Sequence, residues 1–240
     1  MSTDDSGSTS PFARRGFIAA AVVVGVIAAL GIFVLVMNLV SPPTSAPPTD
    51  SPTSTPPVSA ADASVCGLEA FETESSLTQA PDVEWELVGT IAAPTDPAVG
   101  PGTVDDGFRS CFAHTAEGAL YAAVNFLATG TDAMLSQRLL ELVAEGPGKD
   151  ALEQLLSQSP DGVTSSYRAQ VAGYKIGQYD GTNATIDLVL NYSDGRLVSV
   201  PLRLVWEDGD WKAVFDDTGQ MPLAPAELQN LGGYTPWGGA

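Results

Sequence analysis

Positive charge is scarce in this chain: 10 Lys and Arg stand among 240 residues against 29 Asp and Glu, with a single His and two Cys. The formal net charge of -19 repels phosphate backbones and anionic lipid headgroups, so direct nucleic-acid binding through a basic surface is excluded. Residues 63–240 alone hold 25 carboxylates and 8 basic side chains. The plainest use of such acidity is solubility outside the cell. Cys66, Cys111 and His114 are too few for a metal site, and no metal is expected. Also missing are a Gly-rich phosphate loop with its Lys, a Gly-x-Ser-x-Gly elbow and a paired His-Glu helix motif, so no cofactor is expected either.

Charge is absent altogether from Gly16 to Val40, an apolar run of 25 residues (GFIAAAVVVGVIAALGIFVLVMNLV). As a helix it would be about 37 Å long, enough to cross a bilayer core of about 30 Å with some tilt. Arg14 and Arg15 precede it, and no Lys or Arg recurs until Arg109. The positive-inside rule then places residues 1–15 in the cytoplasm and everything after 40 outside, a single-pass cell-membrane topology. A cleaved signal peptide is the alternative. Its apolar core is normally about 7–15 residues with a small-residue cleavage pattern, whereas this run is longer and passes into prolines. Gly25, Ala29 and Gly31 are small enough to let two such helices approach, and a second copy of the chain is one candidate partner.

Residues 1–15 are too polar to offset the entropy of ordering and read as a disordered tail. Residues 41–64 hold seven prolines among Ser, Thr and Ala, the composition of a semi-rigid stalk. Residues 65–112 form a turn-rich arm with one strand expected over Val83 to Ala92. Cys66 and Cys111 both fall outside the membrane, where disulfides persist, and pairing would tie this arm to the start of the main domain. Two buried free thiols are the alternative.

Residues 113–240 are expected to form a helix-plus-sheet domain. Thr115 is the N-cap of a helix that carries Ala116, Leu120, Ala123, Val124 and Leu127 on one face and stops at Gly130. Asp132 caps a second helix with Leu135, Leu139, Leu142 and Val143 inward, and a third follows at Lys149 to Gln158. From Val163 the apolar period shortens to two. Strands are expected at Tyr167 to Ile176 with a bulge at Gly173, through Ile186, Leu188, Leu190 and Tyr192, through Val198 to Trp206, and through Trp211 to Phe215. Turns at Asp180-Gly181, Asp194-Gly195 and Asp208-Gly209 join them as hairpins. The fold class is therefore α+β, with helices packed on one antiparallel sheet. Pro225 to Leu231 reads as a helical fragment. Beyond it, Tyr234 and Trp237 among glycines are either docked on their own domain or candidate partner contacts.

Helices followed by a meander ending in VWEDGDWKAVFD resemble the nuclear-transport-factor-like (cystatin-like) cone. On a single-pass anchor this plan resembles the assembly-core protein of type IV secretion systems and its Gram-positive conjugation counterparts. The segments WELVGTIAAPTDPAVGPG and DDGFRSCFAHTAEGALYAAVNFLA, with the GYTPWG tail, are similar to a group of actinobacterial membrane-anchored proteins of unassigned activity, some associated with integrative conjugative elements. The resemblance implies a non-catalytic assembly or scaffold component of a conjugative or secretion apparatus, with other membrane or secretion proteins as partners. It supplies no catalytic residue. The same cone also houses isomerases and dehydratases, for which Asp187, His114 and Tyr121 are the residues to weigh. Alternation turns Asp187 away from the face of Ile186 and Leu188, while His114 and Tyr121 could reach a cavity mouth. A wall-facing ligand-binding or sensor domain using the cone's pocket is the other reading.

Overall fold

The computed structural model describes residues 62–158 and 168–239. The expected tail at 1–15, the membrane span at 16–40, most of the stalk and the beginning of the first meander strand lie outside the described residues. Among those described, no helix is long and apolar enough to cross a membrane.

The arm supplies two small hairpins. β1 (Glu84–Val88) pairs with β2 (Ile91–Thr95), and β3 (Thr103–Asp105) pairs with β4 (Phe108–Ser110). The single strand expected over Val83 to Ala92 is therefore folded in two. Gly89 at φ 57° makes the turn, and the Thr90 N–H donates to Thr131 Oγ1 at 3.0 Å. At Asp106-Gly107 both residues have positive φ, 48° and 87°, the geometry that suits a tight two-residue hairpin.

α1 (Ala116–Thr129) starts where Thr115 Oγ1 accepts the Gly118 N–H at 3.0 Å and ends at Gly130. Its apolar surface is wider than the one-sided stripe the periodicity suggests. Apart from Glu117 and Leu127 the whole helix is buried, because β6 and β8 cover one side and β2 of the arm covers another. A helix hydrophobic all round is one enclosed on all sides. Small residues make that enclosure tight: a Cβ at Gly118 would collide with the Ala113 carbonyl.

The expected second helix is a 3₁₀ helix, Leu135–Leu142. Its N-cap is Met134 rather than Asp132, which instead closes the turn leading into it, Oδ1 accepting the N–H groups of Met134 and Leu135 at 2.9 and 3.1 Å. Apolar residues spaced by four and then three suit either helix type, so periodicity alone could not separate them. The third helix is present as α2 (Pro147–Ser157).

The meander runs β5 (Ala169–Tyr179), β6 (Asn183–Tyr192), β7 (Leu197–Glu207) and β8 (Asp210–Ala213), all antiparallel. The three Asp-Gly turns lie between them, and the register shifts at Gly173 as expected. Ile186, Leu188, Leu190, Val200, Leu202 and Leu204 face α1 and are buried.

Beyond β8 the chain departs from expectation. Pro225 to Leu231 is not helical: β9 (Ala226–Leu228) pairs with Leu197–Ser199 at the beginning of β7, the part of that edge β8 leaves open. Unsatisfied strand edge outweighs weak local helix preference. The chain then reaches the opposite edge, where β10 (Thr235–Pro236) pairs with Gly173 and Tyr174 of β5. Between the two edges it forms a strap over the sheet's outer face. That cover accounts for Val189, fully buried although it points away from α1. Gly173 lets the strap pass, since a Cβ there would lie 2.9 Å from the Thr235 carbonyl oxygen.

Trp237 fastens the strap by inserting beside Trp85, Tyr121 and Tyr174, its Nε1–H donating to the Pro81 carbonyl at 3.0 Å. Trp237→Ala should cost about 3–5 kcal/mol in urea unfolding, the usual range for a buried Trp. Tyr234→Phe, which removes one hydroxyl, should cost about 1 kcal/mol.

Candidate functional site

Cys66 and Cys111 are joined in a disulfide. Cys111 has φ 63°, and the backbone here is held from below: the N–H groups of Cys111 and Phe112 donate to Asp210 Oδ2 and Oδ1 at 2.8 and 2.9 Å. Asp210 is 2 % exposed and also accepts the Trp211 N–H. Burial pushes its carboxyl up, opposed by Lys212 and by these three backbone donors. No side chain of another molecule could reach so enclosed a group without displacing the fold.

His114 does not open on a cavity. It is buried, stacked on Trp206 with ring centroids 3.8 Å apart, and met edge-on by Phe71 and Trp211. Its Nδ1 lies 2.8 Å from the Asp62 carbonyl oxygen, and its Nε2 contacts the Gly181 carbonyl. The ring thus ties the chain entering the domain to the β5–β6 turn. Tyr121 is likewise enclosed rather than at a mouth, and its hydroxyl donates to Glu117 Oε1 at 3.0 Å. Burial and the neighbouring Glu117 charge push the Tyr121 phenol well above its ordinary range.

Asp187 faces away from α1, as alternation indicates. Its Oδ1 accepts from Ser199 at 2.6 Å and its Oδ2 from Tyr234 at 2.7 Å, so the carboxylate holds the strap to the sheet. Sequence spacing could not find this, because Tyr234 is 47 residues away. Of the two readings of the tail, docking on its own domain is the one the geometry follows. Trp237 is a core residue at 7 % exposure and presents no surface to a partner, while the Tyr234 hydroxyl is engaged by Asp187.

Two surface recesses are the candidate sites among the described residues. One, of about 260 Å³, opens between the C-terminal end of α1 and the inner sheet face, with Leu127, Leu190, Tyr192, Val200 and Met221 in its wall. Its lining contains no carboxylate, imidazole or amine among the described residues, and Thr131 Oγ1 is engaged by Ala128 and Thr90. Such a wall can hold an apolar group, and Tyr192 is its one acid-base side chain among the described residues. The other, of about 350 Å³, lies among β1, the β3–β4 turn and the start of the 3₁₀ helix. Arg109 forms its floor, and its guanidinium is paired with Glu86.

Glu117 provides a test of this electrostatic account. Burial raises its carboxyl, as do Asp96 and Glu72, while the Tyr121 hydrogen bond opposes them. A carboxyl raised on folding loses stability as pH climbs from the ordinary Glu range through the raised value. Glu117→Gln keeps an oxygen for Tyr121 and removes the charge. The variant should be more stable than the parent at pH 7 and indistinguishable from it at pH 4, measured by urea unfolding.

The family model for a domain of unknown function, DUF8175, matches residues 45–236, and the chain belongs to that family. No curated protein and no solved structure matches it.

Proposed function

We propose that this family member is a membrane-anchored, non-catalytic assembly component whose exterior domain works through protein contacts. The observation that carries the reading is the use made of the chemistry-bearing side chains. Asp187, Asp210 and His114 each hold one part of the fold to another, and Tyr121 is buried with its hydroxyl bonded to Glu117 one turn earlier on α1. The anchor rests on the apolar run at 16–40 and the charge asymmetry around it.

Within that reading the domain follows the nuclear-transport-factor-like cone. The order of α1, 3₁₀ helix, α2 and antiparallel meander supports it, as does the recess between α1 and the inner sheet face. The cone on a single-pass anchor is the plan of secretion-system assembly-core proteins, and a conjugative or secretion apparatus is the setting we assign. The second reading, a wall-facing sensor, is favoured by the apolar recess itself. A bulky Val200→Trp would fill that recess, and a sensor would lose its response while an assembly component would keep working.

Deleting the protein from its host should reduce conjugative transfer or secretion. At matched abundance, complementation by Asp187→Asn or Tyr121→Phe should restore it to within about twofold. Loss of a general acid or base normally costs a hundredfold or more. Such a loss with either variant would replace assembly by catalysis. Protease added to wall-stripped cells should remove residues beyond 64 and leave the N-terminus intact.

A further inference from the structure

Three of the large apolar side chains most exposed among the described residues converge on one place. Leu87 on β1, Val104 on β3 and Met134 before the 3₁₀ helix are 72 %, 58 % and 74 % exposed, and all three line the recess of about 350 Å³ above Arg109. Scattered apolar residues on a surface need no explanation, but a cluster around a concavity is the pattern of a contact site. We propose that this recess receives an aliphatic side chain of a partner protein, presented on a segment that carries Lys or Arg beside it.

Charge selects that occupant. The basic groups at the recess are already neutralised, Arg109 by Glu86 and Arg138 by Asp105 and Glu141. At the rim stand Asp106, with no ion pair among the described residues, and Asp132, whose Oδ1 accepts the N–H groups of Met134 and Leu135. An acidic or phosphorylated guest would meet these carboxylates and the general negative field of the domain. A second copy would bring a domain of the same sign.

The floor adds one further demand. Arg109 Nη1 is buried without a hydrogen-bond partner among the described residues. Buried donors are normally satisfied, and the acceptor that fits beneath an acidic rim is a neutral one. A main-chain carbonyl of the guest, entering with a small displacement of the recess wall, supplies it. The docking is therefore of an apolar knob with basic flanks, its backbone turned toward Arg109. This identification rests on the assembly reading above and names the chemistry of one partner.

The test uses the full chain in nanodiscs of zwitterionic lipid and a synthetic peptide with leucine between lysines. Control peptides carry serine for the leucine or glutamates for the lysines. The lysine-leucine peptide should bind, Met134→Asp should weaken it at least tenfold and Asp106→Asn at least threefold, and Glu227→Gln on β9 should leave it unchanged. Asp106→Asn keeps a residue type that tolerates positive φ.

Absence of binding would overturn the inference. So would equal affinity in Met134→Asp, an equal loss in Glu227→Gln, or equal binding of the glutamate peptide. A dimer in the parent protein that Met134→Asp dissolves would assign the face to a second copy instead. In cells, photocrosslinks through position 134 that Asp106→Asn reduces would support the recess. Crosslinks only through position 155 on α2 would overturn it while assembly stood, and crosslinks at neither position would overturn both.

Discussion

One buried carboxylate joins the two halves of this domain. Asp210 sits at the start of β8, yet two of its hydrogen bonds go to Cys111 and Phe112, about a hundred residues earlier and immediately before α1. Successive N–H groups aimed at one anion form a small nest, and the φ of 63° at Cys111 is what aligns them. Removing a carboxylate from water costs several kcal/mol, and three backbone donors with Lys212 at 3.8 Å are what offset it. The upward shift of its pKa says the offset is incomplete. What is obtained is geometry: the disulfide end of the arm, the lead-in to α1 and the last hairpin of the meander are held in one register.

That register explains why α1 can be so rich in alanine and glycine. A helix covered on one side is best served by large residues that reach its neighbour, whereas one enclosed between layers must let both come close. Gly118 against Ala113 and the fully buried Ala119 and Ala123 keep the separations small. The enclosure depends on the arm, and the arm is fixed by the disulfide, by Asp210 and by His114 bridging Asp62 to Gly181. Opposite them the strap closes the outer sheet face. Trp237 and the Asp187–Tyr234 bond hold the strap where it crosses to the β5 edge.

Much of this was legible in the sequence where the signal is local. Thr115 caps where its hydroxyl can accept a nearby amide, Asp132 accepts the amides that lead into the 3₁₀ helix, and the Asp-Gly pairs mark the meander's turns, Asp208-Gly209 with both residues at positive φ. The illegible parts are those set by distant partners. The Gly89 turn lies inside an otherwise continuous strand pattern. Residues 226–228 become a strand only because β8 leaves the first residues of β7 unpaired. The candidate residues were misleading for the same reason: His114 and Tyr121 have the right chemistry for a pocket, but the arm that encloses them has no periodicity from which its path could be read. Nor does any motif bring Leu87, Val104 and Met134 together, since they belong to three elements and meet only in space.

A domain this acidic has a consequence for how contacts are distributed over it. Residues 63–240 carry 25 carboxylates, and long-range repulsion among them opposes compaction, so the few basic side chains are most effective where they pair at short range. Arg109 and Arg138 do so beside the 350 Å³ recess, Arg138 also lying 4.0 Å above the Phe108 ring. Their pairing removes free positive charge from the vicinity of the recess and leaves Asp106 at its rim. The same arrangement that steadies the β3–β4 hairpin therefore sets the sign of the surface around the exposed apolar cluster. Apolar contact supplies the attraction at such a place, and the surrounding charge decides which of many apolar segments can approach it.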